Sequence, residues 1–203
     1  MIKVNIIIAL YYPQYYREVR ETILSIFSNF DYYLVFVDNS GVIIPDIEVD
    51  SNIKWLAGSN LAGEFSAWDE GYSYLNEQQD IMEDDIIVFI NDTFCHHRFF
   101  TGYDEKLYKK AFLECDDNCI YGELNSTGEF FGINGLKFSS WISSYFFLGS
   151  KKCVDKIMPL NKALNISIED SEVILRNLKL GKVYIPMFTR ELNSHLTNWL
   201  FPK

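Results

Sequence analysis

The sequence predicts an α/β domain: a mainly parallel central sheet flanked by helices. Three observations carry this. Apolar runs of strand length recur at residues 4 to 10, 34 to 37, 53 to 56 and 86 to 90, with stretches of helical periodicity between them. Alternating strands and helices form parallel sheets covered on both faces, and runs without polar alternation suit strands buried on both sides. Two of the runs end abruptly in polar residues, Asp38-Asn39-Ser40-Gly41 and Asn91-Asp92-Thr93. In open α/β sheets, ligands sit just beyond the carboxyl ends of strands.

The elements follow in order. Residues 4 to 10 form the first strand. Residues 14 to 29 place Val19, Ile23, Ile26 and Phe27 on one helical face. Residues 34 to 37 form a second strand, stopped by the turn-rich 38 to 41, and residues 53 to 56 a third. Phe65, Trp68, Tyr72 and Leu75 mark a second helix, and residues 86 to 90 a fourth strand. Leu107, Ala111 and Cys115 share one face of a third helix. Residues 122 to 140 hold four of the eleven glycines and read as a loop or irregular hairpin. A further apolar run covers 145 to 148. Val173, Ile174 and Leu178 mark a last helix that Gly181 ends, and residues 183 to 185 a final strand stopped by Pro186. No linker or repeat divides the 203 residues, which suffice for one domain with a substantial core.

Composition narrows the function. A net charge of −10 argues against a nucleic-acid partner, whose phosphates need clustered Lys and Arg, and against broad contact with anionic lipid. Cys95, Cys115, Cys119 and Cys153 form no CxxC pair and read as reduced thiols of a cytoplasmic protein. Cys115 and Cys119 lack two further nearby ligands in sequence for a zinc site. The apolar N-terminal run is too short to span a membrane and has no cleavage site, so it reads as the first strand. Most of the aromatic residues, 16% of the chain, read as core.

The polar strand ends carry the candidate chemistry. A carboxylate such as Asp38 can accept hydrogen bonds from a base N–H or ribose hydroxyls, although Asp also forms local turns. Asp92 is placed to hold a divalent cation, which would hold a diphosphate. Asn60-Leu61-Ala62-Gly63-Glu64 leads into a helix, whose free N–H groups suit a phosphate. Phe65 and Trp68 in the same stretch read as core, and Glu64 also suits the helix dipole. His96 and His97 follow directly. A histidine can join a Mn²⁺ site, but two loop histidines read more simply as solvated.

Taken in order, these segments resemble a GT-A type glycosyltransferase, with the Rossmann-like fold of nucleotide-diphospho-sugar transferases, close to family 2. Ile8-Ala9-Leu10-Tyr11-Tyr12-Pro13 resembles the first strand and the loop that contacts the nucleotide, with Tyr11 in that loop. Val35-Phe36-Val37-Asp38-Asn39-Ser40-Gly41 resembles the second strand, whose Asp binds base or ribose. Residues 60 to 71 are similar to the Asn-x-Gly-x-Asp-Phe-x-x-Trp-x-x-Gly pattern of the rhamnan-synthesis-type enzymes of bacterial surface polysaccharides, with Ala62 for the first Gly and Glu64 for Asp. Asn91-Asp92-Thr93 resembles their variant of the Asp-x-Asp motif. Ser143-Ser144-Tyr145-Phe146-Phe147-Leu148 resembles a strand beside the acceptor. Ile168-Glu169-Asp170-Ser171-Glu172-Val173 resembles the segment supplying the catalytic carboxylate, and His195 a late metal ligand.

The resemblance implies one domain, with residues 1–93 as the nucleotide-binding half and 94–203 as the acceptor-binding half. It implies Tyr11, Asp38, Asn60, Glu64, Asn91 and Asp92 at the nucleotide, Asp92 and His195 on Mg²⁺ or Mn²⁺, and Asp170 or Glu169 as the base. The expected reaction is inverting transfer from a nucleotide-sugar donor to a saccharide or lipid-linked acceptor, for O-antigen or capsule. The alternative is a non-catalytic nucleotide-sugar or carbohydrate-binding module. A nucleotidyltransferase would need a glycine-rich basic loop after the first strand, and Tyr11-Tyr12-Pro13-Gln14 has none. The expected location is cytoplasmic, with peripheral association at the inner membrane face or with a partner protein. The terminal Trp199-Leu200-Phe201-Pro202-Lys203 reads as packed on the domain, with membrane docking as its other use.

Overall fold

A computed structural model describes residues 2–42, 50–96, 100–117, 119–133 and 136–160, of which 124–133 and 136–141 are described by backbone alone. Strands β1 (Lys3–Leu10), β2 (Asp31–Asp38), β3 (Ile53–Ala57), β4 (Ile86–Asn91), β5 (Tyr121–Ile133) and β6 (Leu136–Ser150) form one sheet in the order β3-β2-β1-β4-β6-β5. The four strands β1 to β4 run parallel, while β6 is antiparallel to both β4 and β5. The strand order reverses beside β1, whose neighbours are β2 on one side and β4 on the other. A crevice for a ligand forms at such a switch point.

Side chains alternate between two cores. Ile7, Ala9, Val35, Val37, Ile87 and Phe89 point to one face, where helix α2 (Glu64–Gln78) buries Phe65, Trp68, Tyr72 and Leu75. Ile6, Ile8, Leu10, Leu34, Phe36, Val88 and Ile90 point to the other. There helix α1 (Tyr16–Phe27) presents Val19, Ile23, Ile26 and Phe27, the stripe its sequence predicts. Pro13 opens a single 3-10 turn that leads into α1, as its fixed φ favours. Helix α3 (Gly102–Leu113) starts at a capping box in which Thr101 and Asp104 satisfy each other's backbone N–H groups. A short helix, α4 (Lys151–Val154), follows β6.

One sequence reading needs correction and another is narrowed. Leu107 lies 46% exposed; α3 instead buries Tyr108 and Phe112, with Ala111 and Cys115 partly covered. Tyr108 stacks on Phe146 of β6, at 3.8 Å between ring centroids, so the aromatic stripe displaces the aliphatic one. Of the two readings of residues 122 to 140, loop or irregular hairpin, the structure shows the hairpin: β5 and β6 are long paired strands, with register shifts between Gly122 and Leu124 and between Ser126 and Phe131. Glycines and short polar side chains hide such pairing from an apolar pattern. The expected helix around Val173 and the strand at 183 to 185 lie outside the described residues.

Both ends of the central β1–β4 pair are fixed by buried carboxylates. At the amino end, Asp85 Oδ1 accepts from Lys3 N at 2.8 Å and Oδ2 from Met82 N at 3.0 Å, while its carbonyl accepts from Lys151 N. At the carboxyl end, Asp92 Oδ2 accepts from Tyr11 N at 2.7 Å and Tyr12 N at 2.5 Å. Hydrogen bonds to a charged group contribute about 1.5–3 kcal/mol each. These bonds set the register Val4↔Ile86 through Ala9↔Asn91, which apolar side chains alone specify weakly.

Candidate functional site at the strand switch

The carboxyl ends of β1, β2 and β4 meet the start of α2. Register places Asp38 beside Leu10 on one flank of β1 and Asn91 beside Ala9 on the other. Two asparagine amides then hold consecutive residues at the helix start: Asn39 Nδ2 donates to the Gly63 carbonyl at 2.8 Å, and Asn91 Nδ2 donates to Glu64 Oε2 at 2.7 Å. Of the residues singled out in sequence, Asp38, Glu64, Asn91 and Asp92 thus gather around one strand end, together with Tyr11.

Asp38 is half-buried. Its Oδ1 accepts from the backbone N and hydroxyl of Ser40, the local turn that its sequence allows. Oδ2 accepts no hydrogen bond among the described residues, so one carboxylate oxygen remains for a ligand hydroxyl or N–H. Tyr11 is 52% exposed, with its backbone N anchored by Asp92 and its ring edge-on to Tyr12.

Asn60 takes φ 52°, a left-handed conformation that Asn tolerates better than most residues. The loop around it is tightly tied. Gly58 N donates to the Asp38 carbonyl at 2.9 Å, and Glu70 accepts from Ser59 N and from the Ser59 hydroxyl. A Cβ at Gly58 would come within 2.1 Å of Asn39 Oδ1, so only glycine lets the loop pass. The structure therefore gives Asn60 a backbone role in shaping the loop into α2. Phe65 and Trp68 are core residues, as expected, and Trp68 Nε1 donates to the Ile90 carbonyl.

Asp92 is 2% exposed, and its Oδ2 orients the backbone after β1. Asn91 is committed to Glu64 and, through Oδ1, to Thr93. Asp92 Oδ2 and both ends of the Asn91 amide are thus engaged within the protein. Among the described residues no three metal-ligating side chains gather at Asp92. Glu169, Asp170, His97 and His195 lie outside the described residues, so the structure does not place them relative to this strand end.

His96 departs from the solvated reading. Its ring stacks on Tyr15 at 3.6 Å and its Nε2 lies 3.3 Å from Glu18 Oε2. Sequence reasoning also missed Asn39 and Glu70 as loop ties. Asn39 was legible as a polar residue at a strand end, but nothing local pointed to its partner 24 residues away. A cleft of about 340 Å³ lies along the later turns of α2, lined by Tyr72, Glu77, Asp155 and Met158, away from the strand switch. Among the described residues no helix is long and apolar enough to cross a membrane. All four cysteines are unpaired.

No known protein family matches the sequence. No curated protein matches it either. Among solved structures the chain is similar to 4-diphosphocytidyl-2C-methyl-D-erythritol synthase, with a TM-score of 0.51 at 16% identity over 96% of this chain and 98% of that one. At that identity the likeness concerns fold alone. The fold is a Rossmann-like α/β domain with a six-stranded, mostly parallel sheet.

Proposed function

We propose that the chain is a nucleotide-sugar-dependent glycosyltransferase, acting in the cytoplasm, at the inner face of the membrane, on a saccharide or lipid-linked acceptor of bacterial surface polysaccharide. The observation that carries this reading is the gathering of Asp38, Tyr11, Asn91 and the start of α2 around the end of β1. The open oxygen of Asp38 suits ribose or base, and the exposed Tyr11 ring suits a stacked base. The turn after β1 contains Tyr11-Tyr12-Pro13 with neither glycine nor a basic residue, which favours this reading over nucleotidyl transfer.

In this reading Asp170, or Glu169, takes the proton of the acceptor hydroxyl as the nucleotide leaves, and the anomeric carbon inverts in one displacement. Asp92 contributes by fixing the backbone on which Tyr11 stands.

A second reading, a non-catalytic nucleotide-sugar-binding module, draws support from the same commitment of Asp92 to backbone N–H groups. One experiment separates the two. Thermal shift of the full chain against UDP-, GDP- and dTDP-sugars, with and without Mn²⁺, should identify one preferred nucleotide. Release of nucleoside diphosphate on adding saccharide acceptors should follow and fall about 10²–10⁴-fold in Asp170→Asn. Binding without release in any acceptor mixture would favour the module. No shift with any nucleotide would defeat both.

A further inference from the structure

Glu18 in the first turn of α1 and Cys95-His96 after β4 come together although 77 residues separate them in sequence. One ligand atom from each, a carboxylate oxygen, Cys95 Sγ and a His96 ring nitrogen, all lie within 4.8 Å of one another. Among the described residues no other such trio converges as closely. We propose that these three side chains bind one zinc-class divalent cation, tying the loop after β4 to the start of α1.

The ligand chemistry selects the ion. Thiolate and imidazole together favour Zn²⁺ or Co²⁺ over Mg²⁺, Ca²⁺ and Mn²⁺, which prefer oxygen. Tetrahedral geometry with bonds of about 2.0–2.3 Å sets the ligand atoms about 3.3–3.8 Å apart. Closing from 4.8 Å therefore needs movements of about 1 Å, within reach of the exposed and rotatable Glu18. One member is already aimed. The His96 ring is held by its stack on Tyr15, and its buried Nε2 faces Glu18 at 3.3 Å without a well-formed hydrogen bond.

Charge points the same way. A divalent ion would balance one thiolate and one carboxylate, and its fourth position would fall to water or an incoming ligand. The site is separate from the nucleotide proposal and stands or falls without it.

The test uses the full chain, stripped with chelator and exchanged into metal-free buffer. Titration with Co²⁺ should give one equivalent bound and a thiolate-to-cobalt charge-transfer absorption. Zn²⁺ should displace the Co²⁺ and raise the melting temperature, and Mg²⁺ should do neither. Cys95→Ser should abolish the charge-transfer absorption. Glu18→Gln, at an exposed position that leaves the fold intact, should weaken Co²⁺ by more than the roughly 10–100-fold typical of an outer-sphere partner. Absence of the charge-transfer absorption in the wild type would overturn the proposal. So would its persistence in Cys95→Ser, which would assign the ion to Cys115, Cys119 and Cys153, or Glu18→Gln binding Co²⁺ like the wild type.

Discussion

Asn91 donates its side-chain amide to Glu64 at 2.7 Å, joining the end of β4 to the first residue of α2. An aspartate at 91, the residue found in two-carboxylate motifs, would set two carboxylates against each other. Asn91→Asp should therefore lose about 1–3 kcal/mol in urea unfolding, the scale of a buried hydrogen bond replaced by an unsatisfied group. Glu64→Gln in that background restores a donor and should recover most of the loss. Additive single and double variants, within about 0.5 kcal/mol, would show that the two residues do not act as a pair.

Asp92 distinguishes a loop anchor from an ion ligand. As an anchor, Asp92→Ala should lower stability by about 1–3 kcal/mol, because Tyr11 N and Tyr12 N lose their acceptor. Asp92→Asn keeps one oxygen and should cost less. Urea midpoints for the two variants check this. An ion ligand would show the opposite: wild-type stability, with turnover lost in both variants.

Asp38→Ala should weaken the preferred nucleotide by about tenfold or more, the effect of losing a charge-assisted hydrogen bond of roughly 1.5–3 kcal/mol. Calorimetry on the folded variant is the measurement. Unchanged affinity would leave Asp38 with only its local turn to Ser40.

Gly71 is where α2 meets the sheet. A Cβ there would approach Ile7 Cγ2 to 2.4 Å and Val37 Cγ2 to 3.2 Å. Alanine gains up to about 1 kcal/mol of helix propensity, but overpacking costs about 1–3 kcal/mol. Gly71→Ala should therefore be net destabilising, read from thermal unfolding. A stabilised variant would mean the helix can lift away freely.

Alkaline pH should act on the half-buried thiols Cys95 and Cys115. Burial pushes Cys115 up to about 12 and, with Glu18, pushes Cys95 up to about 11, against an ordinary value of 9.0. The folded chain holds these protons more tightly than the unfolded one. Their contribution to stability is therefore complete below about pH 9 and declines as pH rises toward 11–12. In metal-free buffer at about pH 8, both should react with a disulfide reagent far more slowly than in the unfolded chain. Equal rates in the two states would contradict this placement.

Much of this arrangement was legible in sequence. The apolar runs ending at Asp38 and Asn91 put polar groups at strand ends, and the structure places them on either side of β1. The Phe65, Trp68, Tyr72 stripe gave α2 its buried face. What stayed hidden depends on pairings across long stretches of chain. The backbone donors of Asp92 lie 80 and 81 residues earlier, so nothing beside it in sequence points to them. Cys95 and His96 look like loop residues until α1 brings Glu18 beside them. Ser- and Gly-rich β5 and β6 carry too little apolar alternation to declare themselves.

The two carboxylates at the ends of β4 bear on how the chain finds its shape. Ile6-Ile7-Ile8 and Val88-Phe89-Ile90 are nearly interchangeable partners in a sheet that is greasy on both sides, so a shifted alignment would forfeit little burial. Residues 3 and 85 must also find each other across a long intervening loop, a slow event in any search. A misaligned encounter would strand Asp85 or Asp92 in a dry interior without its amide donors, at several kcal/mol. In the native chain a wrong alignment is too costly to persist, and the strands separate and try again instead of settling into a compact trap.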